Sequence, residues 1–259
     1  MRRIPLPGVF QPHSDSLMLA ERLRNEPLPT GARVLDLCTG SGVLAISAAQ
    51  GGRWRVTAVD ISRRAVLATR LNARLNRVTV RALRGDLFAP VTPERFDLIV
   101  SNPPYIPSVE DQLPDRGPSR AWEAGPRGRV FLDRICAQAA AHLNPGGVVL
   151  LVHSSICSER ATIDALTAQG LNAQIVFRSP GPLGKVVRAR APILRARGLL
   201  PDPDSEDIVI VRAVLAGTPA AGGDPGTTET RRSGSRGRLP EPRPSLPAAG
   251  RLRGSACRG

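Results

Sequence analysis

Short apolar runs alternate with longer amphipathic stretches from about Arg33 to Ala213, and most of the runs end on a polar residue or a glycine. Val34-Leu35-Asp36-Leu37 reads as a short buried strand introduced by the turn Pro29-Thr30-Gly31. It leads into Cys38-Thr39-Gly40-Ser41-Gly42, after which Val43 to Ala49 reads as a helix of small and apolar residues. Arg55 to Val59 is a second strand closed by Asp60, and Leu67, Leu71 and Leu75 then recur at i, i+4 and i+8, one face of an amphipathic helix. A third strand around Val78 to Leu83 ends at Gly85-Asp86, and a fourth, Phe96 to Val100, runs straight into Ser101-Asn102-Pro103-Pro104-Tyr105. Phe131, Ile135, Ala139 and Leu143 mark a further helix, closed by Asn144-Pro145-Gly146-Gly147. A strand from Val148 to Val152, a helix near Glu159 to Gln169 and a strand from Ala173 to Phe177 follow. A long basic loop and a last strand from Asp207 to Ala213 complete the pattern.

Strands alternating with helices predict an α/β fold, a mostly parallel sheet with helices on both faces. Ligands bind such sheets beyond the carboxyl ends of the strands. Asp36, Asp60, Asp86 and Asn102 all fall at predicted carboxyl ends, so they define a candidate site.

At 259 residues the chain holds one good-sized core. Beyond Leu215 the composition turns to Gly, Pro, Ala, Ser, Thr and Arg. The expected organisation is an N-terminal segment over 1–30, a folded domain over 31–215 and a low-complexity, disordered tail over 216–259. The formal charge of +14 is almost all arginine, Lys185 being the only lysine, and the tail carries eight arginines against three acidic residues. Basic surfaces suit RNA, DNA or ribosome-associated partners, but an excess of charge fixes no partner by itself. The four cysteines have no paired spacing, which predicts neither a metal site nor a disulfide framework and fits a reducing cytoplasm. No signal peptide or membrane span is expected.

Gly40-x-Gly42-x-x-Ala45 also matches the dinucleotide pattern, in which glycines let a pyrophosphate approach a helix N-terminus. Asp60, 18 residues past Gly42, can accept from ribose hydroxyls of either NAD or S-adenosylmethionine. Asp36 favours the second, because the ammonium of a methionine moiety would offset its charge. Asp86 can accept from an adenine amino group. Asn102-Pro103-Pro104-Tyr105 suits a planar nitrogen acceptor. The lone pair of an amide or aromatic amine is delocalised, and two acceptors on its NH₂, the Asn102 side-chain carbonyl and the Pro103 carbonyl, would localise and aim it. Consecutive prolines hold the backbone extended, and Tyr105 offers a flat face for stacking. No strong base is needed first, so alignment supplies most of the catalysis.

The pieces Leu35 to Gly42, Val59 to Ser62, Gly85 to Phe88, Phe96 to Pro107 and Ala124 to Gly128, with the closing strand, resemble the HemK-like glutamine N5-methyltransferases of peptide-chain release factors. These belong to the class I S-adenosylmethionine-dependent methyltransferases, and the short archaeal and eukaryotic branch is the more similar. The resemblance covers about residues 8–214. It implies a Rossmann-like sheet of seven strands, cofactor contacts from Asp36, Cys38, Thr39, Gly40, Gly42, Asp60, Ile61, Asp86, Leu87 and Asn102, and substrate contacts from Asn102, Pro103, Pro104 and Tyr105. Gly8 to Ser16 is similar to the branch's N-terminal segment, which closes over the cofactor and would bring in Asp15 and Ser16. A protein substrate such as a release factor and a small zinc-binding partner protein are also implied. Cys38 stands where that family usually has glycine, and Lys185 to Arg197 and the tail lie outside the shared pattern. His153, Trp54 and Trp122 are expected to pack rather than to act, and the role of His13 is open. Two alternatives stay beside the glutamine reading: methylation of an exocyclic amine on RNA or DNA, and a non-catalytic cofactor-binding protein.

Overall fold

A computed structural model describes residues 1–9, 12, 14–114, 117–200, 202 and 204–217. The expected disorder of the tail beyond Gly217 and the open role of His13 both lie outside the described residues.

The strands are β1 (Arg33–Leu37), β2 (Arg55–Asp60), β3 (Arg81–Arg84), β4 (Phe96–Ser101), β5 (Leu143–Ser154), β6 (Leu171–Pro182) and β7 (Ser205–Leu215). The helices are α1 (Ser14–Arg24), α2 (Val43–Ala49), α3 (Arg63–Leu75), α4 (Val130–Ala139), α5 (Glu159–Thr167) and α6 (Lys185–Ala196). They build one seven-stranded sheet in the order β3-β2-β1-β4-β5-β7-β6. β1 to β5 run parallel, and β7 is antiparallel to both of its neighbours.

The central strands read as unbroken apolar runs because both of their faces are covered. Val34, Leu98, Val100, Leu150 and Val152 pack under α1 and α2. Leu35, Ile99, Val149, Leu151 and Val211 pack with Ile135 of α4 and Leu166 of α5 on the opposite face. A side-chain period of two along each strand separates these two cores. Trp54 belongs to the first core, as expected of a packing residue. Among the described residues no helix is long and apolar enough to cross a membrane.

Three expectations are corrected. The third strand is only Arg81–Arg84, at the edge of the sheet, and the residues from Val78 lead up to it. The basic loop is in fact the end of β6, then α6, then the start of β7. Its arginines hid a helix whose buried stripe is Val187, Ala191 and Leu194. The leucines of α3 do not form the packed face. Leu67 is 51% exposed and Leu75 37%, while the small residues Ala65, Ala68, Thr69, Asn72 and Ala73 are buried.

That small-residue face has a use. Thr69 donates to Gly40 O (3.2 Å), and Asn72 Nδ2 donates to Ser41 O (3.0 Å). Asn72 Oδ1 accepts from Ile4 N (2.7 Å), and Asn76 exchanges bonds with the Arg2 backbone. Leucines on this face would hold the glycine turn and the N-terminal arm too far away to bond. The chain leaves β1 for β2 and β3 on one side, then returns to β4 on the other, so a crevice opens between the carboxyl ends of β1 and β4.

Candidate active site

The turn after β1 supplies one wall of the crevice. Cys38, Gly40 and Gly42 all have positive φ (57°, 56° and 85°). A residue other than glycine at position 38 therefore carries backbone strain. A Cβ on Gly42 would lie 2.9 Å from the Thr69 side chain, so α3 can approach only a glycine there.

Asp36 ties strand to helix. Its Oδ2 accepts from Thr39 Oγ1 (2.6 Å) and from Ala45 N (3.0 Å) in the first turn of α2. Its Oδ1 is buried and has no partner. Burial raises the carboxyl to about 7, although the bonds from Thr39 and Ala45 oppose the shift. Asp60 Oδ2 accepts from Gly40 N (2.9 Å), and its Oδ1 accepts from Ser62 N (2.9 Å). Burial raises this carboxyl as well. Asp86 lies just beyond β3 and is paired with Arg134 of α4 at 2.6 Å, with both side chains nearly half exposed. Ile61 is exposed and Leu87 is buried in the second core with φ 47°.

The other wall follows β4. Asn102 Nδ2 donates to Asp15 Oδ2 (2.9 Å) and to Ser16 Oγ (2.9 Å) in the first turn of α1. The Tyr105 hydroxyl donates to the same Asp15 Oδ2 (2.9 Å). A carboxylate only accepts, so Asp15 fixes which end of the Asn102 amide faces it and leaves the carbonyl end for an incoming N–H. Burial first, and then the Asp15 charge, push the Tyr105 phenol well above its ordinary range, so it stays neutral. Asp15 and Ser16 were expected among the cofactor contacts; their side chains bond Asn102 and Tyr105. Ser16, Cys38, Gly40 and Asn102 line one common cleft. Pro103 is buried and Pro104 half-buried.

His153 lies outside this site. Its Nδ1 is 2.9 Å from Ser154 O, and burial lowers the ring to about 4, so it packs as a neutral imidazole. Trp122 serves through its backbone, its carbonyl accepting from Ile106 N (2.7 Å). Sequence reasoning missed the part played by Gly128, φ 69°, where a Cβ would lie 2.4 Å from Tyr105 O and 2.9 Å from Cys157 Sγ. Cys157 Sγ itself donates to Tyr105 O (2.9 Å). It also missed Arg190 and Arg197 of the α6 segment.

Strand order, glycine turn and carboxylates at the strand ends define a class I methyltransferase, whose methyl donor is S-adenosylmethionine. The family model of the methyltransferase small domain matches residues 4–113. A Methanocaldococcus jannaschii relative assigned to the protein N5-glutamine methyltransferases is 35% identical over 181 residues, 70% of this chain and 90% of its own length. The chain belongs to that family. The release factor glutamine methyltransferase of Mycolicibacterium smegmatis is 38% identical over 180 residues, 66% of this chain, and the chain spans 63% of that enzyme's length. Solved structures share the fold. The E. cuniculi Mtq2–Trm112 complex, responsible for methylating the eRF1 termination factor, aligns with TM-score 0.56 at 21% identity, covering 81% of this chain and 99% of the matched one. A T. thermophilus 16S rRNA N2-guanine methyltransferase aligns with TM-score 0.54 at 24% identity, covering 81% and 46%. The fold therefore serves both protein and RNA acceptors.

The residues present fit the donor. Asp36 Oδ1, buried and unpaired, suits an ammonium, and the turn residues Cys38, Thr39, Gly40 and Ser41 line the cleft beside it.

Proposed function

We propose that this chain methylates the side-chain amide nitrogen of a glutamine in a peptide-chain release factor. The observation that carries the reading is the Asp15 and Ser16 grip on the Asn102 NH₂ group. With the NH₂ end held there, the Asn102 carbonyl end is left for an incoming N–H, and Asn102 lines the cleft of the glycine turn.

S-adenosylmethionine, when bound, supplies an electrophilic methyl carbon. Asp36, Cys38, Thr39, Gly40 and Gly42, with Asp60, Ile61, Asp86 and Leu87 along the same edge, would hold it. Asn102 Oδ1 and the Pro103 carbonyl accept the two N–H groups of the glutamine amide, which orients its nitrogen lone pair. The neutral Tyr105 ring offers a stacking face, with Pro104 beside it in the chain. The N–C bond would form as the methyl carbon's bond to sulfur breaks, its electron pair staying on the sulfur; the nitrogen is left cationic, and one of its protons then departs to solvent. No group in the site has to act as a strong base, so orientation carries the rate.

The same reading includes a small zinc-binding partner protein. Leu67 and Leu75 are exposed on α3 with the half-buried Leu71 between them, beside the edge strand β3, an apolar face that a monomer would leave wet. Cys38, Cys136 and Cys157 are all free, which suits the cytoplasm.

The test supplies methyl-labelled cofactor together with release factors and total RNA. Label should enter the release factor as a base-stable methylamide, and Asn102→Ala should abolish it while still binding cofactor. Label confined to RNA would overturn the substrate, and full activity in Asn102→Ala would overturn the site.

A further inference from the structure

Pro103, Pro104 and Pro107 keep the chain after β4 out of a helix, and its ladder is the single bridge between Ile106 and Glu123, so the carbonyls beyond Ile106 need partners from elsewhere. α6 provides them. Its buried stripe packs Val187, Ala191 and Leu194 into a cluster with Leu132 and Ile156, against which Tyr105 and Ile106 rest. Arg190 and Arg197, two helical turns apart, reach the same segment. Arg190 Nη1 donates to Pro107 O (2.8 Å), and its Nη2 pairs with Glu123, with both side chains mostly buried. Arg197 Nη1 donates to Ser108 O (2.5 Å) and Pro126 O (3.3 Å), and its Nη2 donates to Val109 O (2.7 Å). Three consecutive carbonyls, at Pro107, Ser108 and Val109, are thus held by two guanidinium forks. No single backbone strand could satisfy them in that way, and a lysine has no planar fork with which to span two of them.

We infer that Arg190 and Arg197 are positioning residues for the acceptor half of the reaction. They fix the wall that starts at Tyr105 and so set where a glutamine-bearing loop sits relative to Asn102. This deepens the glutamine reading and rests on it. The cofactor turn lies on the opposite side of the crevice and bonds to neither arginine, so the pair should act on turnover and not on cofactor affinity.

The experiment uses the full chain with Arg190→Gln, Arg197→Gln, Arg190→Lys and, as control, the exposed Lys185→Gln. It reads kcat on a release factor, cofactor Kd by calorimetry, and amide exchange over Ile106–Val109. The two Gln variants should lose about tenfold or more in kcat with cofactor Kd within about twofold, because small misplacements are costly in an alignment-driven site. Ser108 and Ile106, whose amides bond Gly125 O and Trp122 O, should exchange faster, while the β1 turn does not change. Arg190→Lys should recover part of the loss, and Lys185→Gln should match the parent. Unchanged kcat and unchanged exchange over Ile106–Val109 would overturn the assignment, as would loss of protection throughout the sheet in all three arginine variants. A parent that leaves release factors unlabelled refutes the substrate, while the local exchange response still judges the clamp.

Discussion

Asp15→Asn separates the acceptor geometry from the rest of the fold. In the parent, Oδ1 of Asp15 accepts from Ser16 N (2.7 Å), and Oδ2 accepts from both Asn102 Nδ2 and the Tyr105 hydroxyl. An amide of the same shape has only one acceptor end. If its carbonyl faces Asn102 and Tyr105, its NH₂ meets the Ser16 N–H; if it turns over, its NH₂ meets the Asn102 NH₂. Either way at least one charge-assisted bond is replaced by opposed donors. Bonds to charged groups contribute roughly 1.5–3 kcal/mol. If that energy serves to orient Asn102 in the transition state, kcat should fall by about 10- to 150-fold. The assay is single-turnover methylation of a release factor at saturating cofactor, with cofactor Kd measured alongside. The Asp36 turn is untouched, so affinity should hold within a few fold. An Asp15→Asn enzyme turning over within about threefold of the parent would refute the claim that this carboxylate aims the Asn102 amide.

Burial puts the Asp36 carboxyl near 7, so its charge is fully present only above that pH. Cofactor affinity, measured by calorimetry, should therefore rise from pH 6 to 8 in the parent and lose this dependence in Asp36→Asn. Stability should show two opposed slopes. The raised Asp36 group favours the folded state below its ordinary 3.8, and that contribution is lost as pH rises to about 7. His153, lowered from 6.5 to about 4, contributes fully above 6.5 and loses this as pH falls to about 4. Relative to the parent, His153→Gln should gain about 1 kcal/mol per pH unit on acidification from 6.5 to 4.5, read from urea midpoints, and a flat difference would count against a buried neutral ring. Gly128→Ala forces a Cβ to 2.4 Å from Tyr105 O at a φ of 69°. It should cost about 1–3 kcal/mol in urea unfolding and most of the turnover, whereas a variant as active as the parent would mean that the Tyr105 backbone can shift freely.

The cofactor side of the crevice was legible in the sequence because each part of it is contiguous. A strand, a turn that needs left-handed residues and a helix occupy Arg33 to Ala49, and the carboxylates of Asp60 and Asp86 mark the ends of the next two strands. Periodicity located the central strands because both of their faces are buried. It misjudged α3, where packing against a backbone turn selects alanine, threonine and asparagine and turns Leu67 and Leu75 outward. There the apolar period was real, but it faced away from this chain's own core. It misjudged Lys185 to Arg197 in the same way, since arginines reaching carbonyls look in sequence like a solvated run.

The acceptor wall was illegible for a different reason. Its bonds join residues far apart in the chain: Asn102 to Asp15 across 87 positions, Arg197 to Val109 across 88. Asn102-Pro103-Pro104-Tyr105 suits a planar nitrogen acceptor, yet nothing local says which way the asparagine amide points or what keeps the prolines in place. α1 answers the first and α6 the second. α1 opens on the end of the Gly8 to Ser16 resemblance, whereas α6 lies outside the shared pattern, and each bonds through one or two polar side chains set on an apolar stripe. On the proposed function the reacting groups lie at the strand ends, and two helices from opposite ends of the domain hold them in place. Changes in α1 or α6 should therefore retune acceptor choice without disturbing the cofactor turn.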